Sequence, residues 1–313
     1  MNGLELARGY YQEYGRPMLE EQFPEVLPHL AAGLIGSGSE CFGWDDAVSQ
    51  DHDWEPGFCI FLPGEDIVDR RTAFLLERAY AKLPKEYMGH RRSLMQPVGG
   101  ARRGVLRISE FLTEKLGSED GNLTPAQWLS LPTQALAEVT NGELFFDNTG
   151  ELTGLRERLC KYPEDIRRKK LAGHLLLMAQ SGQYNYMRCI QHGERAAAQL
   201  AVSAFVTHAM SAEFLLAQVY EPYYKWSFRA LRALPDGQKT AEQLEYLLTT
   251  DNSDDMYDGK YYLIEEIAAD LIDELIDQGL TRANCGDLEK HAYSVNDGIA
   301  DGALRNLHVL AAV

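Results

Sequence analysis

The fold of this chain is decided by one stretch, residues 34–62, which reads LIGSGSECFGWDDAVSQDHDWEPGFCIFL. The stretch begins inside a short apolar run, residues 31–35, whose length is typical of a buried strand. Small residues follow at 36–39 and predict a turn whose backbone can approach a phosphate group without side chains in the way. A second strand is predicted over residues 51–62, and its far end, FCIFL, is again apolar.

Two acids, Asp51 and Asp53, stand at the start of this second strand. Strand periodicity places both carboxylates on one face and His52 on the other. Burying two like charges side by side is costly unless a cation lies between them. Mg²⁺ suits this position, because it prefers oxygen ligands and is usually held by one or two carboxylates together with substrate phosphates. The sequence therefore predicts a nucleotide site in which Asp51 and Asp53 bind the metal. The phosphate-binding residues of the turn are predicted to be Gly36, Ser37 and Ser39.

The spacing resembles the signature of the polymerase-β-like nucleotidyltransferase superfamily: Gly36-Ser37, thirteen residues, then Asp51-His52-Asp53. It is most similar to the minimal and kanamycin-type branches, and residues 36–54 also resemble an uncharacterised bacterial branch. Two later strings resemble that branch too, YPE at 162–164 and YEPYYKW at 220–226. The resemblance implies Mg²⁺-dependent transfer of a nucleoside monophosphate, with AMP from ATP as the first expectation, to an acceptor hydroxyl. Ser37 would then position the pyrophosphate that leaves.

The same resemblance implies a third carboxylate on a neighbouring strand. We predict that strand over residues 105–112, VLRISEFL, and Arg107 stands where an acid is expected. Glu110 is the nearest substitute, as a third ligand or as a general base. Asp45 and Asp46, which lie between the first two strands, are predicted to cap a turn or helix instead of binding the metal.

Because Arg107 stands where an acid is expected, two alternatives to a transferase remain open. The first is a sensor or interaction protein that binds a nucleotide on the same fold and transfers nothing. The second is a metal-dependent phosphoesterase, which the sequence disfavours because only His52 lies close to the acids.

The amino-acid composition limits the kinds of partner that we expect this chain to bind. The chain has 30 basic and 47 acidic residues and a net charge of −17, which argues against extended nucleic-acid binding. Its five cysteines are scattered without a Cys-x-x-Cys pair, so we expect a reducing cytoplasm and neither disulfides nor a zinc site. The N-terminus does not read as a signal peptide, and no apolar run approaches the length of a membrane span. The oligomeric state cannot be predicted from these features.

Periodicity predicts the remaining organisation. Apolar spacing indicates a helix over residues 67–83 with Phe74 on its buried side, and a strand over 143–147. From residue 162 onward the pattern is helical almost throughout. The predicted fold class is α+β: a nucleotidyltransferase-type mixed sheet with flanking helices, followed by an all-α bundle. The predicted domains are residues 1–155 and 156–313, with the active site between them.

The helical half offers cations beside aromatic residues. Tyr184, Arg188 and Arg195 fall near helical spacing within a helix predicted over residues 184–219, and Lys225 follows two tyrosines. Arg188 and Lys225 are predicted to contact the nucleotide, because paired cations suit a triphosphate. The acceptor-binding wall is predicted to consist of Tyr184, Arg188, Tyr224 and Lys225. The alternative is a solvated surface whose cations pair with nearby acids. The acceptor stays open: an aminocyclitol, another metabolite, a tRNA end or a protein side chain.

Overall fold

The computed structural model of the chain describes residues 1–46, 48, 54–92, 103–253 and 256–313. The described residues form two compact units. The first consists of Met1–Leu123 and Gln134–Cys160, and the second of Thr124–Thr133 and Lys161–Val313. Asp51 and Asp53 lie outside the described residues, so the predicted metal ligands are not part of the description that follows. Residues 54–58 are described and are not strand, so the second strand, predicted over residues 51–62, begins only at Cys59.

A mixed sheet organises the first unit. The strands of the chain are β1 (Ala31–Leu34), β2 (Cys59–Leu62), β3 (Glu86–Tyr87), β4 (His90–Arg91), β5 (Gly104–Arg107) and β6 (Glu143–Asp147). Four of them form one sheet in the order β5-β2-β1-β6, and β3 and β4 form a separate hairpin. β1 runs antiparallel to β2 and β6, whereas β2 and β5 are parallel. Every residue of β1 and β2 is buried, which explains why both read as continuous apolar runs without alternation.

Helices surround this sheet. In chain order they are α1 (Gly3–Tyr10), α2 (Arg16–Gln22), α3 (Arg70–Lys82), α4 (Ile108–Leu116), α6 (Thr133–Thr140) and α7 (Glu151–Leu159), whereas α5 (Pro125–Ser130) belongs to the second unit. A π-helical segment, Tyr11–Gly15, joins α1 to α2. The core contains packed rings from α1, from α3 and from Phe58, the residue before β2: Tyr10 lies 6.1 Å from Phe58, and Phe58 lies 5.1 Å from Tyr80. Contacts of this kind fix two helices against the sheet.

Two predictions about these elements are wrong in part. The strand predicted over residues 105–112 ends at Arg107, and α4 begins at Ile108, so Glu110 lies on the first turn of a helix. The buried residues of α4 follow helical spacing, and Gly117 ends the helix in the left-handed conformation. The helix predicted over residues 67–83 is confirmed as α3, but Phe74 is 55% exposed instead of buried.

The second unit is helical. After α5 it contains α8 (Glu164–Met178), α9 (Met187–Gln191), α10 (Arg195–Leu216), α11 (Tyr224–Arg232), α12 (Gly237–Thr249), α13 (Tyr257–Asp277), α14 (Leu288–Asp297) and α15 (Gly302–Arg305). A π-helical segment, Ala179–Tyr186, joins α8 to α9. The predicted α+β class, a mixed sheet with helices and a helical second half, is confirmed.

The single helix predicted over residues 184–219 is wrong. Gly193 adopts a left-handed φ of 74°, and the chain starts a new helix, α10, at Arg195. Arg188 and Arg195 therefore lie on different helices and do not form one face.

Four consecutive basic residues of α8 fasten the second unit together. Arg167, Arg168, Lys169 and Lys170 each donate to a backbone carbonyl of another segment, at Leu215, Leu280, Leu307 and Leu129. Carbonyls at helix ends lack partners within their own helix, so a long basic side chain can satisfy them. Burial lowers the pKa of Lys170 to about 8. These side chains are part of the bundle's framework.

One described helix, α10, is long and apolar enough to cross a membrane by length and composition alone. The expectation that no apolar run approaches that length does not hold for α10. Half of its most apolar window is buried, and α10 packs closely on α8. The core helix of a folded bundle gives the same signal, so this feature does not indicate a membrane span by itself.

Candidate functional site

The turn that follows β1 is held in place by Asn141. The side-chain oxygen of Asn141 accepts a hydrogen bond from Gly36 N at 2.9 Å, and its amide donates to Gly36 O at 2.7 Å. Gly36 has a φ of 127°, which side chains rarely permit. Its N–H is engaged by Asn141, so Gly36 shapes the turn and has no N–H left for a phosphate. Ser37 is exposed and Ser39 is half-buried, so both predicted phosphate ligands lie on this turn.

A buried ion pair supports the back of the turn. Arg103 Nη2 lies 3.0 Å from Glu40 Oε1, and both side chains are only 8% exposed. The Glu40 carboxylate packs against the α-carbon of Gly38, where a Cβ would lie 2.1 Å from Oε1. Arg103 also lies 3.7 Å from Glu55. The pair therefore joins the turn to the chain on both sides of β2, and only glycine fits at position 38.

A hydrogen bond joins Asp45 and Trp54, which flank the segment that carries the predicted metal ligands. Asp45 Oδ2 accepts hydrogen bonds from Trp54 Nε1 and from Gly3 N, each at 2.7 Å. Gly3 is the first residue of α1, whose N-cap is Asn2, so Asp45 accepts from the first N–H of that helix. Glu40 and Trp54 both pack against Gly3. Glu40 of the turn, Asp45 and Trp54 therefore meet at the start of α1.

The described surroundings suit a hard cation. Asp45 Oδ1 is buried and has no hydrogen-bond partner in the described part of the chain. A buried carboxylate oxygen without a partner is costly and is well matched by a cation that prefers oxygen. No group of three His, Cys, Asp or Glu side chains within residues 1–46, 48, 54–92, 103–253 and 256–313 is arranged to hold a metal. Asp45 Oδ1 is a position at which a cation such as Mg²⁺ would gain an oxygen ligand.

Arg107 and Glu110, the two residues considered for the position of the third carboxylate, differ in burial. Arg107 is buried, and its guanidinium donates to Pro63 O at 2.8 Å and to Val68 O at 2.9 Å. It therefore fastens the connection between β2 and α3. Glu110 is exposed on α4.

In the second unit each predicted cation packs on a neighbouring ring. The Arg188 guanidinium lies 4.9 Å from the centroid of Tyr184, and Lys225 Nζ lies 5.1 Å from that of Trp226. Tyr184 also lines an open cavity of about 570 Å³, together with Gln183 and other residues. Arg188 and Lys225 are both exposed, and no hydrogen bond, ion pair or ring contact joins them in the described part of the chain.

The two strings that resemble the bacterial branch meet in a cluster of aromatic rings. Tyr162 lies 4.9 Å from Tyr220 and 5.8 Å from Trp128, and Lys170 Nζ lies 5.6 Å above the ring of Tyr162. Burial raises the pKa of Tyr162 to about 12. Sequence reasoning missed the cluster because its members are far apart in the chain. Their burial assigns them to packing of the second unit.

The comparisons with known proteins give two similarities. Residues 128–227 match a family model described as "Domain of unknown function (DUF4037)". A nucleotidyltransferase-like protein from Exiguobacterium sibiricum 255-15 is 14% identical with a TM-score of 0.36, covering 86% of this chain and 76% of that chain. No curated protein matches the sequence. The family match includes the aromatic cluster and excludes the turn at residues 36–39.

Proposed function

We propose that this chain is a Mg²⁺-dependent nucleotidyltransferase that transfers a nucleoside monophosphate, in the first instance AMP from ATP, to an acceptor hydroxyl. One observation carries the proposal. Asp45 and Trp54, which flank the segment that holds Asp51 and Asp53, are joined by a hydrogen bond beside the turn that carries Ser37. A transferase needs its phosphate ligands and its metal ligands held close together.

The proposed roles follow from this arrangement. Asp51 and Asp53 would hold Mg²⁺, which neutralises phosphate charge when bound. Ser37 and Ser39 would hydrogen-bond the phosphates from a turn that Asn141 keeps rigid. Glu110 would complete the site or act as the base. Free thiols at all five cysteines support a reducing, cytoplasmic setting.

Replacing both proposed metal ligands tests the assignment. We expect Asp51→Asn with Asp53→Asn to weaken Mg-ATP binding by about tenfold or more, because the phosphates lose their bridging cation. Calorimetric titration of Mg-ATP into the wild type and the variant measures this. A matched control, Asp66→Asn with Glu119→Gln, removes two exposed acids from other loops and should bind as the wild type does. Equal affinity in all three proteins would contradict the metal role.

A nucleotide sensor is the second candidate, and Arg107 favours it. The strand β5 carries this buried arginine where a third carboxylate is expected, so catalysis rests on Glu110 or another acid. ATP labelled at the α-phosphate, incubated with cell extract and the protein, separates the two functions. A transferase labels an acceptor and releases pyrophosphate, whereas a sensor binds the nucleotide and labels nothing.

We further propose that Tyr184, Arg188, Tyr224 and Lys225 bind the acceptor. Their exposure leaves these side chains available to a ligand. We expect Arg188→Ala and Lys225→Ala each to lower turnover by about tenfold or more, because a charge-assisted hydrogen bond contributes roughly 1.5–3 kcal/mol. The Mg²⁺ requirement should remain. Steady-state kinetics measure the effect, with Arg282→Ala as a control at another exposed arginine. Unchanged turnover in both variants would place the acceptor elsewhere.

A further inference from the structure

One exposed face of α3 combines apolar and basic side chains. Its members follow helical spacing, and we call them the basic face of α3: Arg71, Phe74, Leu75, Arg78 and Lys82. Phe74 and Leu75 are 55% and 44% exposed. Within the described residues none of the three cations has a carboxylate partner, although the neighbouring Arg70 pairs with Glu65. Exposed apolar side chains ringed by unpaired charge mark an interaction surface.

The end of α13 offers the complementary surface. We call it the acidic face of α13: Ala269, Asp273, Ile276 and Asp277, all of them exposed. Ile276 is 49% exposed. In the part of the chain that the structure describes, Asp273 and Asp277 have no basic partner, whereas Glu266 and Asp270 on the same helix pair with Lys239. Asp277 also stands in the last turn, where a helix dipole disfavours negative charge. A cation from outside the helix would relieve this.

We propose that the chain self-associates, with the basic face of α3 in one copy packed on the acidic face of α13 in a second copy. The occupant follows from charge complementarity. The chain carries a net charge of −17, so a second copy presents mostly acidic surface, and the basic face of α3 is an exception to it.

The two faces also match in register. Arg78 and Lys82 are four residues apart, as are Asp273 and Asp277, so each pair spans about 6 Å along its helix. Placing Arg78 beside Asp273 in a parallel arrangement also places Lys82 beside Asp277. The same register brings Phe74 to Ala269 and Ile276 to the exposed Ala81. Both ion pairs and both apolar contacts can therefore form together.

Charge reversal on either face tests the proposal. Sedimentation of the wild type over a dilution series should show a dimer, with a dissociation constant that rises about tenfold or more at high salt. Arg78→Glu with Lys82→Glu should give a monomer, and so should Asp273→Lys with Asp277→Lys. An equimolar mixture of these two variants should restore the dimer, since each altered face then meets an opposite charge in the other chain.

Control variants show whether a loss of the dimer is specific to the two faces. Arg158→Glu with Lys290→Glu makes the same charge change at exposed positions outside both faces and should leave the dimer intact. Circular dichroism melts should show that all variants are folded. A monomeric wild type at every concentration would overturn the proposal, and so would two reversed variants that stay dimeric. A mixture that remains monomeric would equally refute the pairing of these faces.

Discussion

Glu40 and Arg103 form an ion pair that water barely reaches, since both side chains are 8% exposed. Removing one partner leaves the other charge buried without compensation. We expect Arg103→Met to lower the free energy of unfolding by about 3–5 kcal/mol. Adding Glu40→Gln should recover part of that loss, because the stranded carboxylate is then gone. Urea denaturation of the wild type, both single variants and the double variant forms a thermodynamic cycle. Strictly additive losses would show that the pair is not coupled.

The residues of the turn show which features can be predicted from single positions in the sequence. The small-residue run predicts the turn, and Gly36, Ser37 and Ser39 do lie on it. Asn141 gave no signal, because its hydrogen bonds to Gly36 join positions 105 residues apart. Arg103 was likewise hidden, since its partner Glu40 lies 63 residues away. Local patterns report local geometry, and pairs this distant depend on how the strands are arranged.

The junction of β5 and α4 shows that a local pattern can also leave the type of a whole element undecided. A short run such as VLRIS fits both strand alternation and the start of a helix, and periodicity alone cannot separate them. The buried positions Ile108, Phe111, Leu112 and Leu116 follow helical spacing, and Gly117 supplies the stop signal. Gly193 is the corresponding missed signal before α10, where an apolar pattern continues across a break. The sheet was predictable because β1 and β2 are continuous apolar runs, and the helical half because its apolar spacing extends over many turns.

The packing of α8 on α10 should make stability depend on pH. His174 and His208 face each other, with their Nδ1 atoms 3.1 Å apart. Burial, and then the neighbouring His208, lowers the pKa of His174 from 6.5 to about 3. Below about pH 6.5 the unfolded chain therefore binds a proton that the folded chain excludes. The free energy of unfolding should fall by roughly 1–2 kcal/mol per such histidine as the pH drops to about 5.

Urea denaturation at neutral and acidic pH measures this dependence. His174→Gln should flatten it, because the variant has no imidazole at that position to titrate. His29→Gln changes an exposed histidine outside the bundle and should leave the dependence as in the wild type. Equal pH dependence in the wild type and in His174→Gln would contradict the expectation.

The whole chain is divided in an unusual way, because Thr124–Thr133 belongs to the second unit while the segments on both sides of it belong to the first. Trp128 packs on Tyr162, and Lys170 donates to Leu129 O at 2.9 Å. A second unit without this segment would hold a buried amine with no acceptor at that position.

Fragments of the protein test this dependence. We expect residues 161–313 alone to melt at a lower temperature and less cooperatively than the same fragment with residues 124–133 attached through a flexible linker. Thermal melts followed by circular dichroism compare them. A fragment that carries the same ten residues in scrambled order is the control. Identical melts for all three fragments would show that the segment contributes nothing to the second unit.

Because α5 belongs to the second unit but is synthesised long before most of that unit, the arrangement also affects folding during synthesis. Leu129 leaves the ribosome 41 residues before Lys170, the residue that binds its carbonyl oxygen. At about 5–20 residues per second, translation leaves this interval open for roughly 2–8 s. Until Tyr162 is also synthesised, the indole of Trp128 has no aromatic partner. Nascent chains paused between these two positions would expose an apolar segment to chaperones and proteases, so the pace of translation over that stretch bears directly on the yield of folded protein.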